Sequence, residues 1–312
     1  MMPQEMVFLG VDVAKRTLEI CALGEAKSRQ TANGPGGWAR LVKLCSERAT
    51  VVGVEPSGGY ETGLVRALVG AGIEVRWCDP ARVRALAKAL GAPAKTDAID
   101  ARMIARYLAE AGGRPVQLDE DRQALRELLA ARTAATDTAQ RLTLQAQGLA
   151  GEPRQMIERL AAEATATAKA LTRQLLEAIR QRPQLLTAWR LLQSAPGVGP
   201  LVAAELLADM PELGRVSGKA IAKLAGLAPY VRESGAWRGK AVCSGGRPRP
   251  RRALYLAAMA ALRTPNGLKP VYDRLVGNGK PRMVALVACM RRLLVALNAM
   301  MAQQSPWRGL TA

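Results

Sequence analysis

The sequence predicts a mixed α/β domain, then a long helical arm, then a basic and mainly helical C-terminal domain. Three observations carry this prediction. Short, apolar, β-rich runs alternate with helically spaced segments only in the first 115 residues. From Leu118 to about Gln193 no strand pattern appears, and Leu125, Leu128, Leu129, Ile157, Leu160, Leu171, Leu175 and Ile179 recur at helical spacing. Of the net charge of +19, residues 215–312 carry +16, with 18 basic and 2 acidic residues. The 312 residues, 49% of them hydrophobic, suffice for two cores at roughly 150 residues per domain. The predicted boundaries are 1–115, 116–193 and 194–312.

Taken in order, Val7–Val13 reads as a buried strand, Thr17–Leu23 alternates as a second, and Lys27–Thr31 is a third. Gly36–Glu47 has helical spacing. Thr50–Val54 is a further apolar strand, ended by Pro56-Ser57-Gly58-Gly59. Tyr60–Val69 is helical and Glu74–Cys78 is a strand. Helices follow over Ala81–Leu90 and Thr96–Glu110, with Thr96 as an N-cap, and Pro115 closes the region. Three early strands before the helix–strand alternation point to a mixed sheet. In the arm, Gly151 and Pro153 divide the helical run into a hairpin or coiled coil. The last region is helical, punctuated by glycine, and basic.

Composition narrows the chemistry. Histidine is absent, which excludes His-metal sites, Ser-His-Asp triads and an imidazole base. The five cysteines (Cys21, Cys45, Cys78, Cys243 and Cys289) form no C-x-x-C pair, so reduced thiols in a cytoplasmic protein are expected. The first ten residues lack a signal-peptide pattern. The apolar stretch Met283–Met301 is interrupted by Arg291 and Arg292, so a core or interface helix is expected, and no membrane partner. The basic C-terminal third points to a polyanion, nucleic acid above all.

Two acids end apolar strands: Asp12 in VFLGVDVAK and Glu55 in TVVGVEPSG. Two more, Asp97 and Asp100, stand three apart on a predicted helix and share a face. Singly, each acid has an ordinary reading: Asp97 on a helix dipole, Asp12 paired with Lys15. As a set, four carboxylates would repel one another, and Mg²⁺ would remove that repulsion. Such an ion also suits phosphoryl transfer. All four are therefore candidate metal ligands and catalytic residues.

The basic third holds two further elements. APGVGPLVAAELLADM, from Ala195, looks like a helix-hairpin-helix element, in which Gly197 and Gly199 would let backbone N–H groups approach a phosphate. A plain helix–helix connection reads the same way. YVRESGAWRGKAVCSGGRPRPRRALYLAAMAALR, from Tyr230, is a Gly-rich basic loop. Arg232, Arg238 and Lys240 suit phosphate binding, as do Arg247, Arg249, Arg251 and Arg252. Trp237 and Tyr230 would stack on a base or pack internally. A serine nucleophile is conceivable there, and Ser234, Ser244 and Ser217 are equal candidates on these grounds.

These motifs together resemble the DEDD transposases of bacterial insertion sequences, the family numbered one hundred and ten. The matching segments are GVDVAK at 10–15, VEPSGGY at 54–60, KTDAIDARMIA at 95–105, PGVGP at 196–200, GLAPYVRESG at 226–235 and GGRPRPRRALYLAA at 245–258. The resemblance covers nearly the whole chain, while the Ala-rich stretch 148–172 is not anchored to a family motif. The resemblance implies an RNase H-like (RuvC-like) N-terminal domain whose acids are Asp12, Glu55, Asp97 and Asp100, with Mg²⁺. It implies that Ser234, rather than Ser244, attacks a DNA phosphate and forms a covalent phosphoserine linkage. It further implies a composite site shared between subunits, a coiled-coil arm used in assembly into a homodimer or homotetramer, and a non-coding bridge RNA. That RNA would pair with element-end and target DNA, so base pairing would choose the sequence.

Two other readings fit parts of the chain. A metal-only nuclease resembling a Holliday-junction resolvase would use water and need no serine. A non-enzymatic nucleic-acid-binding protein would carry the acids as structural residues.

Overall fold

The computed structural model describes residues 6–91, 97–116, 118–230, 233–234, 237–238, 242–264 and 267–309. The chain divides into two units, Met1–Leu118 and Asp119–Ala312.

The first unit is built on one six-stranded sheet. Its strands are β1 (Val7–Val13), β2 (Thr17–Ala22), β3 (Arg29–Ala32), β4 (Thr50–Val54), β5 (Glu74–Trp77) and β6 (Arg114–Pro115), in the order β3-β2-β1-β4-β5-β6. β1, β2 and β3 form an antiparallel meander, β4 and β5 run parallel to β1, and β6 closes the edge antiparallel to β5. This mixed order is the RNase H-like arrangement. Four helices cover the sheet: α1 (Pro35–Ser46), α2 (Thr62–Gly70), α3 (Pro80–Ala89) and α4 (Asp97–Ala111). Thr96, read from sequence as the cap of α4, lies outside the described residues.

Period-two alternation sends the two faces of each strand to different cores. Leu9, Val11, Val52 and Val54 pack with Leu41 of α1 and Leu64 and Leu68 of α2. Val51 packs on the other face with Met103, Ile104 and Leu108 of α4 and Val83 of α3. Two glycines on that second face let α4 lie close to the sheet. A Cβ at Gly10 would stand 2.0 Å from the Ala101 carbonyl oxygen, and one at Gly53 would stand 3.1 Å from Ile104 Cγ2. Their lack of side chain sets the helix–sheet spacing.

The second unit begins with a helical hairpin, α5 (Glu120–Ala146) and α6 (Gly151–Arg180). Asp119 caps α5 by accepting from the Arg122 backbone N–H at 2.9 Å. The base of the hairpin is apolar and buried: Leu125, Leu129, Leu175 and Ile179 pack with Ala204 and Ala208. Its far end leaves Leu144, Met156 and Leu160 exposed. Six further helices follow the hairpin among the described residues: α7 (Pro183–Gln193), α8 (Pro200–Asp209), α9 (Gly218–Leu224), α10 (Pro248–Ala261), α11 (Lys269–Gly277) and α12 (Arg282–Gln303). Helix α12 is long and apolar enough to cross a membrane by length and composition, with mean hydropathy 1.7, yet half of that window is buried inside the unit. Leu286, Cys289, Leu293 and Leu297 are its core residues.

One stretch departs from the helical reading of this region. Between α9 and α10 the chain forms four two-residue strands: β7 (Pro229–Tyr230), β8 (Glu233–Ser234), β9 (Trp237–Arg238) and β10 (Val242–Cys243). β7 pairs antiparallel with β10, and β8 pairs antiparallel with β9. The basic loop is thus a nested antiparallel finger. Its strands are too short to leave a periodic signature in the sequence.

Candidate active site

Two of the acids lie where the two central strands of the sheet end. β1 and β4 run parallel with Val11 opposite Val54, so Asp12 and Glu55 come next on neighbouring strands. Asp12 stands two residues after Gly10 and therefore lies on the face that α4 covers. Because Ala101 of α4 rests on Gly10, the first turn of that helix, with Asp97 and Asp100, begins on the same side.

The charges of Asp12 and Asp100 both reach Glu55, as does that of Asp79, the N-cap of α3. The Glu55 carboxyl is pushed up from its ordinary 4.5 to about 7, first by burial and then by the charges of Asp12 and Asp100; Arg84 of α3 pulls the other way. Asp97 does not enter among those causes. Among the described residues, no three acidic or thiol side chains are drawn in closely enough to chelate an ion. Asp12 and Asp100 are within electrostatic reach of Glu55 without forming a closed cage. Their donor chemistry still fits a hard dication: carboxylate oxygens, with Glu55 raised by burial and by neighbouring like charge that a dication would offset.

Sequence reasoning missed Glu61. This carboxylate is buried, and its Oε2 accepts from Ser57 N–H at 3.1 Å, Ser57 Oγ at 2.7 Å and Gly59 N–H at 2.9 Å. It holds the turn that follows Glu55, in which Gly58 and Gly59 take φ of +78° and +107°. The only sequence signal was an acid two residues beyond a Gly-Gly pair, which marks a turn and says nothing of its partner. The Cys78 thiol, pushed up to about 12 by burial and by Glu55, is unreactive packing beside the site.

In the second unit, Ser234 lies on the inner ladder of the finger, paired with Trp237, while Glu233 pairs with Arg238. Arg232 and Lys240 lie outside the described residues. The base of the finger is a neck of glycine backbones: a Cβ at Gly226 would stand 2.1 Å from the Gly245 carbonyl oxygen, and one at Gly246 would stand 2.1 Å from Gly226 N. Gly226, Gly245 and Gly246 all have positive φ. Close approach and positive φ both require glycine at Gly226 and Gly246, and positive φ alone favours it at Gly245.

The basic residues after the finger open α10. Arg247 is its N-cap residue, but the side chain binds Glu212 through two contacts of 2.6 Å and the Asp209 carbonyl at 2.8 Å. Both terminal nitrogens of Arg247 are thus engaged within the unit. Arg251 donates to the Gly245 carbonyl at 2.9 Å. Arg249 and Arg252 are exposed. Both act on carboxyls of α8: Arg249 on Glu205 and Asp209, and Arg252 on Glu205.

The glycines of the helix-hairpin-helix element separate in role. Gly197, with φ of +79°, packs against α10, where a Cβ would stand 2.1 Å from the Ala257 carbonyl oxygen. That packing accounts for Gly197 without a ligand. Gly199 caps α8 with extended backbone and open space around its Cα.

A family model of DEDD transposases, described as "Transposase", matches residues 9–150, and a second, described as "Transposase IS116/IS110/IS902 family", matches residues 189–273. The chain is 35% identical over 132 residues to the insertion element IS900 uncharacterized 42 kDa protein of Mycobacterium paratuberculosis, a match covering 39% of this chain and 31% of that one. The chain thus matches less than a third of that relative's length. It is 25% identical over 316 residues to the pilin gene-inverting protein of Moraxella bovis, covering 96% of this chain and 97% of that one. A structure of T. thermophilus RuvC in complex with a Holliday junction substrate aligns at 20% identity and a TM-score of 0.28, over 36% of this chain and all of that one. The fold assignment rests on strand order and direction, not on that alignment. The two family models cover the acid-bearing sheet and the region from α7 to α11, and the chain belongs to the IS110 family of DEDD transposases.

Proposed function

We propose that the chain is a DNA recombinase that mobilises an insertion sequence by cleaving and rejoining strands through a covalent phosphoserine at Ser234. The observation that carries this reading is the crowding of Glu55 with Asp12 and Asp100 at the ends of β1 and β4, in a member of a transposase family. Crowded carboxylates are costly unless a charge compensates them.

In this reading Asp12, Glu55, Asp97 and Asp100 would hold Mg²⁺. When bound, the ion supplies charge stabilisation at the scissile phosphate. The Ser234 hydroxyl attacks that phosphate, forming an Oγ–P bond as one P–O bond to a deoxyribose breaks. The freed end leaves as a hydroxyl, and the serine proton ends there. In rejoining, a DNA hydroxyl attacks the phosphoserine, and the serine recovers its proton. Bonds and protons balance without a nucleotide cofactor. Arg232, Arg238 and Lys240 lie near Ser234 in sequence and are proposed to contact the phosphate. Arg249 and Arg252, exposed on α10, are proposed to track the nucleic-acid backbone. A bridge RNA chooses the sites by base pairing, and the acids and the serine of one site come from different subunits of a dimer or tetramer joined through the α5–α6 hairpin.

The test is trapping. The protein is incubated with Mg²⁺, labelled element-end and target DNA and the RNA transcribed beside the element, then denatured. DNA migrating with protein, absent in Ser234→Ala and reduced at least about 100-fold in Asp100→Asn, is the expected result. Free cleaved DNA, unchanged in Ser234→Ala, would mean that water is the nucleophile.

A further inference from the structure

Asn33 lies just past β3, distant in sequence from every acid, yet it touches the segments that follow two of them. Its backbone N–H donates to the Arg16 carbonyl at 2.9 Å, in the turn after β1. Its side-chain Nδ2 donates to the Ala14 carbonyl at 2.9 Å and to the Tyr60 carbonyl at 3.0 Å. Ala14 is two residues past Asp12, and Tyr60 is in the turn that follows Glu55. The amide is not free to rotate. Its Oδ1 accepts from Trp38 Nε1 at 2.8 Å. An indole N–H only donates and the two carbonyls only accept, so one orientation of the amide satisfies all three. Trp38 is itself fixed: its ring lies where a Cβ on Gly63 would stand, 2.2 Å from Cη2. Glu61 holds the turn after Glu55 from within, through Ser57 and Gly59. Asn33 holds it from outside and joins it to the end of β1.

We propose that Asn33 is a positioning residue of the acid site, whose amide clasps the chain after β1 to the chain after β4 and so fixes the spacing of Asp12 and Glu55. The proposal rests on the reading of those acids as a metal site. A set of carboxylates within reach, but not closed, gains affinity when its spacing is held in advance; loss of such an outer partner typically costs 10- to 100-fold in metal affinity.

The test uses Mn²⁺ as the probe, titrated calorimetrically into the full chain well below its melting temperature. Four variants are compared with the unaltered protein. Asn33→Ala removes both donors, and Asn33→Asp sets an oxygen against two carbonyl oxygens in the same shape. Val65→Ala, at a buried position of α2, measures what generic destabilisation does to binding. Glu55→Gln tests the site itself. Amide hydrogen exchange at Gly59 and Tyr60 provides a second readout that needs neither metal nor activity. The expected result is about tenfold weaker Mn²⁺ binding in Asn33→Ala and a larger loss in Asn33→Asp, with faster exchange at Gly59 and Tyr60 and with Val65→Ala near the unaltered value. Unchanged binding in Asn33→Ala alongside loss in Glu55→Gln would overturn the role of Asn33 and leave the metal site standing. Equal losses in Asn33→Ala and Val65→Ala would reduce Asn33 to general stability. Unchanged binding in Glu55→Gln would remove the site on which the proposal rests.

Discussion

Glu55 gives the site a pH dependence whose sign follows from its environment. Its folded-state carboxyl sits at about 7, above the ordinary 4.5, so between these values the folded chain holds more proton than the unfolded one. Stability therefore falls as pH rises through that window, because burial and the charges of Asp12 and Asp100 penalise the ionised form. Thermal melts in EDTA should show a lower Tm at pH 8 than at pH 6, and Glu55→Gln should flatten that difference. Added Mg²⁺ should raise Tm more at pH 8 than at pH 6, since the ion competes with the proton. A Tm that climbs with pH in EDTA, or a Glu55→Gln variant with the same slope, would contradict the assignment. The placement of Asp12 and Glu55 after apolar strands and of Asp97 and Asp100 in the first turn of one helix was legible in the sequence, because acids beside apolar runs and at helical spacing are conspicuous. Glu61 and Asn33 were not, because their partners are mainly backbone groups, which any residue carries.

At the scale of elements, the sheet was legible and the finger was not. Seven- and five-residue strands such as β1 and β4 are long enough to show apolar character and bounding turns. Two-residue ladders at β7–β10 and β8–β9 are not. The run of arginines from Arg247 read as one patch, yet Arg247 anchors to Glu212 while Arg252 stays exposed; which arginines are engaged depends on where Glu212 and Asp209 lie. The glycine neck is the element on which the finger depends. Gly226 has φ of +67° and no room for a methyl group, so Gly226→Ala should separate the paired backbones. We expect this variant to lose the trapped DNA adduct while binding Mn²⁺ as the unaltered protein does. Retained adduct would show that the finger needs no neck.

At the scale of the whole molecule, charge asymmetry is the property the sequence shows most plainly, with +16 of the +19 in residues 215–312. Nucleic-acid affinity should fall steeply with salt, by roughly 0.9 in the log–log slope for each duplex phosphate neutralised. Arg252→Ala should lower the magnitude of that slope by about one, whereas Arg247→Ala should lower Tm and leave the slope nearly unchanged. Equal slope changes in both would mean that the Arg247–Glu212 pair opens to bind DNA. The covalent serine is tested most directly by mass spectrometry of the trapped adduct after nuclease and trypsin digestion. Nucleotide mass is expected on the peptide Glu233–Arg238, carried at Ser234. An adduct mapped to another residue, or cleaved DNA with that peptide unmodified, would contradict it.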